Sequence, residues 1–155
     1  MLIREKIGNV GSFDIRGRVV DWLEVEWYET GKRVLRRRTR GGRDLALKFL
    51  RESPSLMQGD VLYADEAVVI LVELLACPVL VIPMGTLEEV ASICYETGNR
   101  HLPLYIEDGV LLAPLDEPLF RWLLASGFTV RREERKLLYP LRSTVSPHSH
   151  GGSWR

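Results

Sequence analysis

Cysteine and histidine are scarce in this chain of 155 residues: it has two cysteines, Cys77 and Cys94, and three histidines. Two thiols cannot staple a chain of this length, so no disulfide is expected and a reducing compartment is. No apolar run approaches the roughly 18 residues that cross a bilayer. The opening MLIREKIGNVGSF puts charge ahead of any apolar stretch, unlike a secretory leader. The expected location is therefore the cytoplasm, with no membrane partner. An excess of either charge is also missing, since 21 Lys and Arg balance 21 Asp and Glu. Bulk attraction to nucleic acid is thereby excluded, and only a local patch can act. Catalytic signatures are absent too: there is no nucleophile motif on Ser or Cys, no phosphate-cradling glycine loop and no metalloprotease helix. What remains, 46% apolar and 27% charged residues, is the composition of a globular protein with room for one domain or two small ones.

The first half reads as β structure. Leu23, Val25 and Trp27 alternate with Glu24 and Glu26, and the following ETGK predicts a hairpin turn into the next strand. That next segment carries Lys32, Arg33, Arg36, Arg37, Arg38, Arg40 and Arg43, broken by Gly41-Gly42 before LALKFL. A turn at Gly59-Asp60, a strand VLYA, an acidic turn at Asp65-Glu66 and the apolar run from Ala67 to Val72 follow.

Near residue 74 the order becomes strand, helix, strand, strand, helix, strand, the βαββαβ of a ferredoxin-like domain. Thr86 and Glu89 form a capping-box pattern, Leu87, Val90, Ala91 and Cys94 share one helical face, and Gly98 is the expected stop. Glu107-Asp108-Gly109 turns between two strands, Asp116 caps a second helix with Pro118 in its first turn, and Gly127 ends it. PLRSTVSPHSHGGSWR has no apolar period. The fold expected is α+β: an all-β domain over 1–73, a ferredoxin-like domain over 74–139 and a disordered tail over 140–155.

The heptad GNRHLPL holds His101 at the corner between the first helix and the strand after it, where a ring can project from a rigid frame. A lone histidine is commonly a surface or hydrogen-bonded residue. The tail supplies two more, His148 and His150, separated by one serine, so that a flexible backbone can wrap both onto one cation. Cys94 on an apolar helical face and Cys77 inside an apolar run read as small core residues.

CYETGNRHLPLYI resembles the signature of the UreE family of urease accessory metallochaperones. The resemblance spans nearly the whole chain: DWLEVEWYETGKRVLRRRTRGGRDLALKF and LMQGDVLYADE are similar to its N-terminal peptide-binding domain, DGVLLAPLDEPLFRWLLASGF to its ferredoxin-like domain, and HSH to its metal-binding tail. It implies a cytoplasmic homodimer, not an enzyme, that binds nickel as cargo and helps deliver it, with an accessory GTPase, to apo-urease. His101 from both subunits would meet beside the dimer axis, and His148 or His150 would complete the shell. A few neutral imidazoles, partly from a loose tail, can detach one at a time, as a carrier requires. The tail lacks a long histidine run, so one shared ion per dimer is expected.

Two other classes compete. A zinc or copper buffer without a client fits the same ligands, because copper binds such donors more tightly than nickel. An enzyme with His101 as general base lacks companions for the chemistry. The arginine run reads first as a solvated face or a protected edge strand. The family's likeness to chaperone peptide-binding domains implies an alternative, an acidic partner or strand addition. Nucleic acid does not fit, since no aromatics interleave with the arginines.

Overall fold

The computed structural model describes residues 1–50 and 55–141, and the chain divides into two compact units, Met1–Leu75 and the part from Ala76 onward. The first unit contains β1 (Leu2–Ile3), β2 (Gly8–Asn9), β3 (Val19–Val25), a 3-10 turn at Trp27–Glu29, β4 (Val34–Arg38), β5 (Asp44–Lys48), β6 (Asp60–Ala64) and β7 (Val68–Leu74). They form two sheets, ordered β1-β5-β4 and β2-β6-β7-β3. In β7, Val69 to Val72 are all buried, because the strand lies between β6 and β3 and is covered on both faces. The unbroken apolar run read from the sequence is the signature of such a strand.

The hairpin expected at ETGK does not form. β3 pairs in parallel with the distant β7, and β4 turns instead onto β5 through Thr39–Arg43, with Gly42 at φ 86°. Trp27 leaves the strand because Glu29 is buried, its carboxylate accepting from the Glu26 amide at 3.1 Å and from Arg37. A carboxylate that closes a local turn and pairs with a cation ends the strand before alternation can continue.

The second unit is α+β, with β8 (Cys77–Pro83), α1 (Leu87–Asn99), β9 (Tyr105–Glu107), β10 (Val110–Pro114), α2 (Glu117–Ala125) and β11 (Arg131–Arg135). Its four strands are antiparallel in the order β11-β8-β10-β9, the ferredoxin-like arrangement expected from the βαββαβ pattern. Asp108 and Gly109, at φ 43° and 80°, make the tight turn between β9 and β10. Leu80 and Ile82 of β8, Leu111 and Ala113 of β10, Ile93 of α1, and Leu119 and Leu123 of α2 form the core beneath the helices.

The inward face of α1 differs from the one read in sequence. Ile93 and Thr97 are buried, with Val90 and Cys94 packed beside the core, whereas Ala91 is exposed and Leu87 is 86% exposed. The helix has two apolar stripes, and the sheet covers the one through Ile93. Thr97 enters the core without an orphan hydroxyl because Oγ1 donates to the Ile93 carbonyl at 2.7 Å.

Candidate metal centre

His101 owes its position to how α1 starts and stops. Thr86 Oγ1 accepts from the Glu89 amide at 3.2 Å while the Glu89 carboxylate accepts from the Thr86 amide at 2.7 Å, the reciprocal box predicted from sequence. At the other end the helix runs through Gly98, the expected stop, to Asn99, with Arg100 as its cap. His101 itself then adopts the left-handed conformation, at φ 56°. Its amide donates to the Gly98 carbonyl at 3.0 Å, and the Leu102 amide donates to the Thr97 carbonyl at 3.2 Å. These two bonds are a Schellman closure with histidine in the place that glycine usually takes.

Helix α2 supplies the ordinary version. Asp116 accepts from the Leu119 amide at 2.8 Å, and at the far end Gly127, at φ 82°, donates to Leu124 at 3.1 Å while Phe128 donates to Leu123 at 3.0 Å. A Cβ in this conformation costs roughly 1–2 kcal/mol, although histidine tolerates it better than most residues. The His101 ring is exposed and stands at the negative end of the α1 dipole, where no basic side chain occupies the last turn. Arg100 is held away by Glu96 at 3.0 Å. This end of the helix favours a cation and leaves the imidazole free to meet one.

The chain after β11 returns to the same neighbourhood. The Ile106 amide donates to the Tyr139 carbonyl at 3.0 Å, the Leu141 amide donates to the Leu104 carbonyl at 2.8 Å, and Tyr105 bridges Pro140 in antiparallel register. Residues 139–141 therefore run back along Ile106 to Leu104, toward His101. No apolar period in the sequence marked this strap, because it rests on backbone bonds.

His148 and His150 lie outside the described residues. Among the described residues His101 has no group of carboxylates, thiols or imidazoles gathered around it that could hold a metal. Cys94 is half-buried on α1, and burial pushes its thiol up, away from the thiolate that binds metals. Cys77 is buried, its sulfur 3.7 Å from the Arg135 carbonyl that accepts from it. Neither cysteine is presented to solvent beside the histidine.

Most of the arginine run is tied locally. Arg37 and Lys32 pair with Glu29, Arg38 with Asp44 at 2.9 Å, Arg40 with Glu24 at 2.7 Å, and Arg43 with Asp21 at 2.6 Å. Asp21 is buried and also accepts from Thr39 Oγ1 and the Gly41 amide, each at 2.7 Å, and from the Trp22 amide at 2.8 Å. Burial raises the Asp21 carboxyl, but hydrogen bonds from Thr39, Gly41, Arg43 and Trp22 outweigh it and hold the group below the ordinary value of 3.8. The basic turn Thr39–Arg43 is thereby fastened to β3.

Comparison with known proteins matches both units. The model of the UreE urease accessory protein N-terminal domain matches residues 3–75, and that of its C-terminal domain matches residues 77–152. The urease accessory protein UreE of Flavobacterium johnsoniae is 42% identical over 153 residues, which cover 99% of this chain and 93% of that protein. Its namesake from Helicobacter pylori is 37% identical over 96% of this chain and 90% of its own, and that from Acetivibrio thermocellus is 31% identical over 99% of each.

Proposed function

We propose, from the premise that this chain belongs to the UreE family of urease accessory proteins, that it serves urease maturation as a nickel carrier and not as a catalyst. The carrying observation is His101, an exposed imidazole fixed in a left-handed helix-end slot where backbone physics favours glycine. Such an outlier supports a functional role for the side chain.

His101 alone makes too small a ligand set. In our reading a second copy of the chain contributes the same residue across a two-fold axis near the end of α1. The stripe of Leu87, Ala91 and Tyr95 on that helix supports this, with Leu87 86% and Tyr95 74% exposed in the single chain. Burial of a leucine stabilises an interface by roughly 1.5–3 kcal/mol, and an isologous contact counts it twice. His148 and His150 then supply further donors. Six residues lie between Leu141 and His148, and the seven steps from one to the other reach up to about 25 Å. Leu141 is bonded to Leu104, three residues from His101, so the strap starts the tail within range.

The ion is cargo, taken up by neutral imidazoles and released to apo-urease together with the accessory GTPase, in the cytoplasm. No helix of the described residues is long and apolar enough to cross a membrane. The experiment is nickel titration calorimetry on the purified protein and on His101→Gly, paired with nickel-dependent activation of apo-urease. Loss of the tightest site and of activation in the variant is the expected result, and unchanged affinity overturns the assignment.

A further inference from the structure

β4 is an edge strand: among the described residues it pairs with β5 alone. The Phe49 amide donates to the Arg33 carbonyl at 2.9 Å and the Thr39 amide to the Arg43 carbonyl at 2.8 Å, which fixes the phase of the antiparallel ladder. With that phase Leu35 and Arg37 spend their backbone groups on β5, and those of Val34, Arg36 and Arg38 point to the open side. Among the described residues, three donors and three acceptors in extended register are thus left without a strand partner.

The solvent face beside this edge has its own character. Val34, 61% exposed, lies opposite Lys48, and Leu2, 50% exposed, lies opposite Ala46. Arg38 is neutralised by Asp44. Arg36, at the centre of the edge, has no ion-pair partner among the described residues, and nor has Lys48 across the sheet. Among the described residues, two cations without a counter-charge therefore flank an apolar patch at an edge that has no strand partner.

We propose that the free edge of β4 docks an extended acidic segment of a partner protein, which adds to the three-stranded sheet as a fourth strand. Arginines on an edge ordinarily repel other strands, and a second copy of this edge would set Arg36 against Arg36. The same charge recruits a strand that carries carboxylates, while the backbone bonds supply affinity independent of side chains. An added strand places every second side chain beside Val34, Arg36 and Arg38. The fitting segment has an apolar residue opposite Val34 and a carboxylate opposite Arg36. This surface lies wholly in the first unit and does not depend on the metal reading.

The test titrates the full-length, isotope-labelled protein with a blocked heptapeptide of sequence TETETVT, followed by amide shifts and hydrogen exchange. Shifts and slowed exchange at Val34, Arg36 and Arg38 are expected, with a dissociation constant on the order of 1 mM for a few backbone bonds and an exposed ion pair. Arg36→Glu, an exposed substitution that leaves the rest of the spectrum in place, should weaken binding about tenfold or more. Lysine in place of both glutamates, or N-methylation of the glutamates and valine, should abolish it. Unperturbed β4 amides at saturating peptide, equal binding by the lysine peptide, or unchanged affinity in Arg36→Glu each overturns the proposal. Nickel binding by the same sample is expected to be unaffected by peptide, so failure here is separable from failure of the carrier reading.

Discussion

His101 and Gly127 occupy the same place at the ends of α1 and α2, at φ 56° and 82°, each with its amide bonded to the carbonyl three residues back. One helix end uses the residue that the backbone prefers, and the other a histidine that the backbone tolerates. Replacing His101 by glycine therefore removes the imidazole while relieving the left-handed conformation. The relief of roughly 1–2 kcal/mol is partly offset by the entropy that glycine loses on folding. Urea unfolding of His101→Gly should show stability unchanged or raised by up to about 1 kcal/mol, with His101→Ala slightly less stable than the glycine variant. Both should lose the tightest nickel site. A glycine variant that unfolds more easily would mean the ring holds the turn together, and the functional reading of the outlier would fail.

The exposed stripe of α1 yields a second test. Among the described residues Leu87 and Tyr95 are exposed and stand outside the core beneath the helices, so Leu87→Glu combined with Tyr95→Glu should preserve the circular dichroism of the monomer. The same pair of charges on both sides of a two-fold contact is costly, and analytical ultracentrifugation should show dissociation at micromolar concentration. Nickel affinity should fall with dimer population. A fragment beginning at Ala76 should still associate, whereas the fragment ending at Leu75, which has no histidine or cysteine, should bind no nickel tightly.

Local sequence rules sufficed wherever the structure is decided by neighbours. Thr86 with Glu89, Asp116 with Leu119, and Asp108-Gly109 act over a few residues, and their patterns are visible in the letters. The ferredoxin-like order followed from those signals. Legibility failed where a distant partner decides. β3 is claimed by β7 some 50 residues away, and so the ETGK hairpin was the wrong local inference. Gly98 looked like a helix stop because glycine is the usual occupant of that slot. The Thr97 carbonyl instead waits for Leu102, which shifts the slot to His101. Which stripe of α1 faces inward depends on the sheet beneath it, and periodicity alone offers two.

Asp21 fastens the basic turn to β3, and its lowered carboxyl pKa makes that contribution dependent on acid. The unfolded group titrates at about 3.9, and the folded one below it. The stabilisation is therefore fully present above pH 4 or so and is lost as the pH falls through the folded value. Asp21→Asn puts an amide donor among the Thr39, Gly41 and Arg43 donors, and should cost about 2–3 kcal/mol in urea unfolding at pH 7. The gap between the two proteins should narrow near pH 3, and a gap constant with pH would contradict the sign. Gly41→Ala tests the same contact sterically, since a Cβ there would lie 2.7 Å from an Asp21 carboxylate oxygen.

The tail is expected to complete the metal site without creating it. Its histidines follow Pro147 and precede Gly151-Gly152, and closing such a segment over an ion costs conformational entropy of roughly 1–2 kcal/mol per residue fixed. His101 is already held by the end of α1, so in the proposed site its imidazole would bind without that cost. Truncation after Leu141 keeps the strap that bonds Leu104 and Ile106 and removes both tail histidines. Calorimetry should show nickel affinity reduced by about tenfold to a hundredfold but not abolished, and delivery to apo-urease should slow in proportion. A cut placed before Tyr139 should do further harm, since it also bares the backbone of β9. If truncation after Leu141 erases binding while His101→Gly retains it, the order of importance is reversed. The left-handed histidine would then be a structural cap.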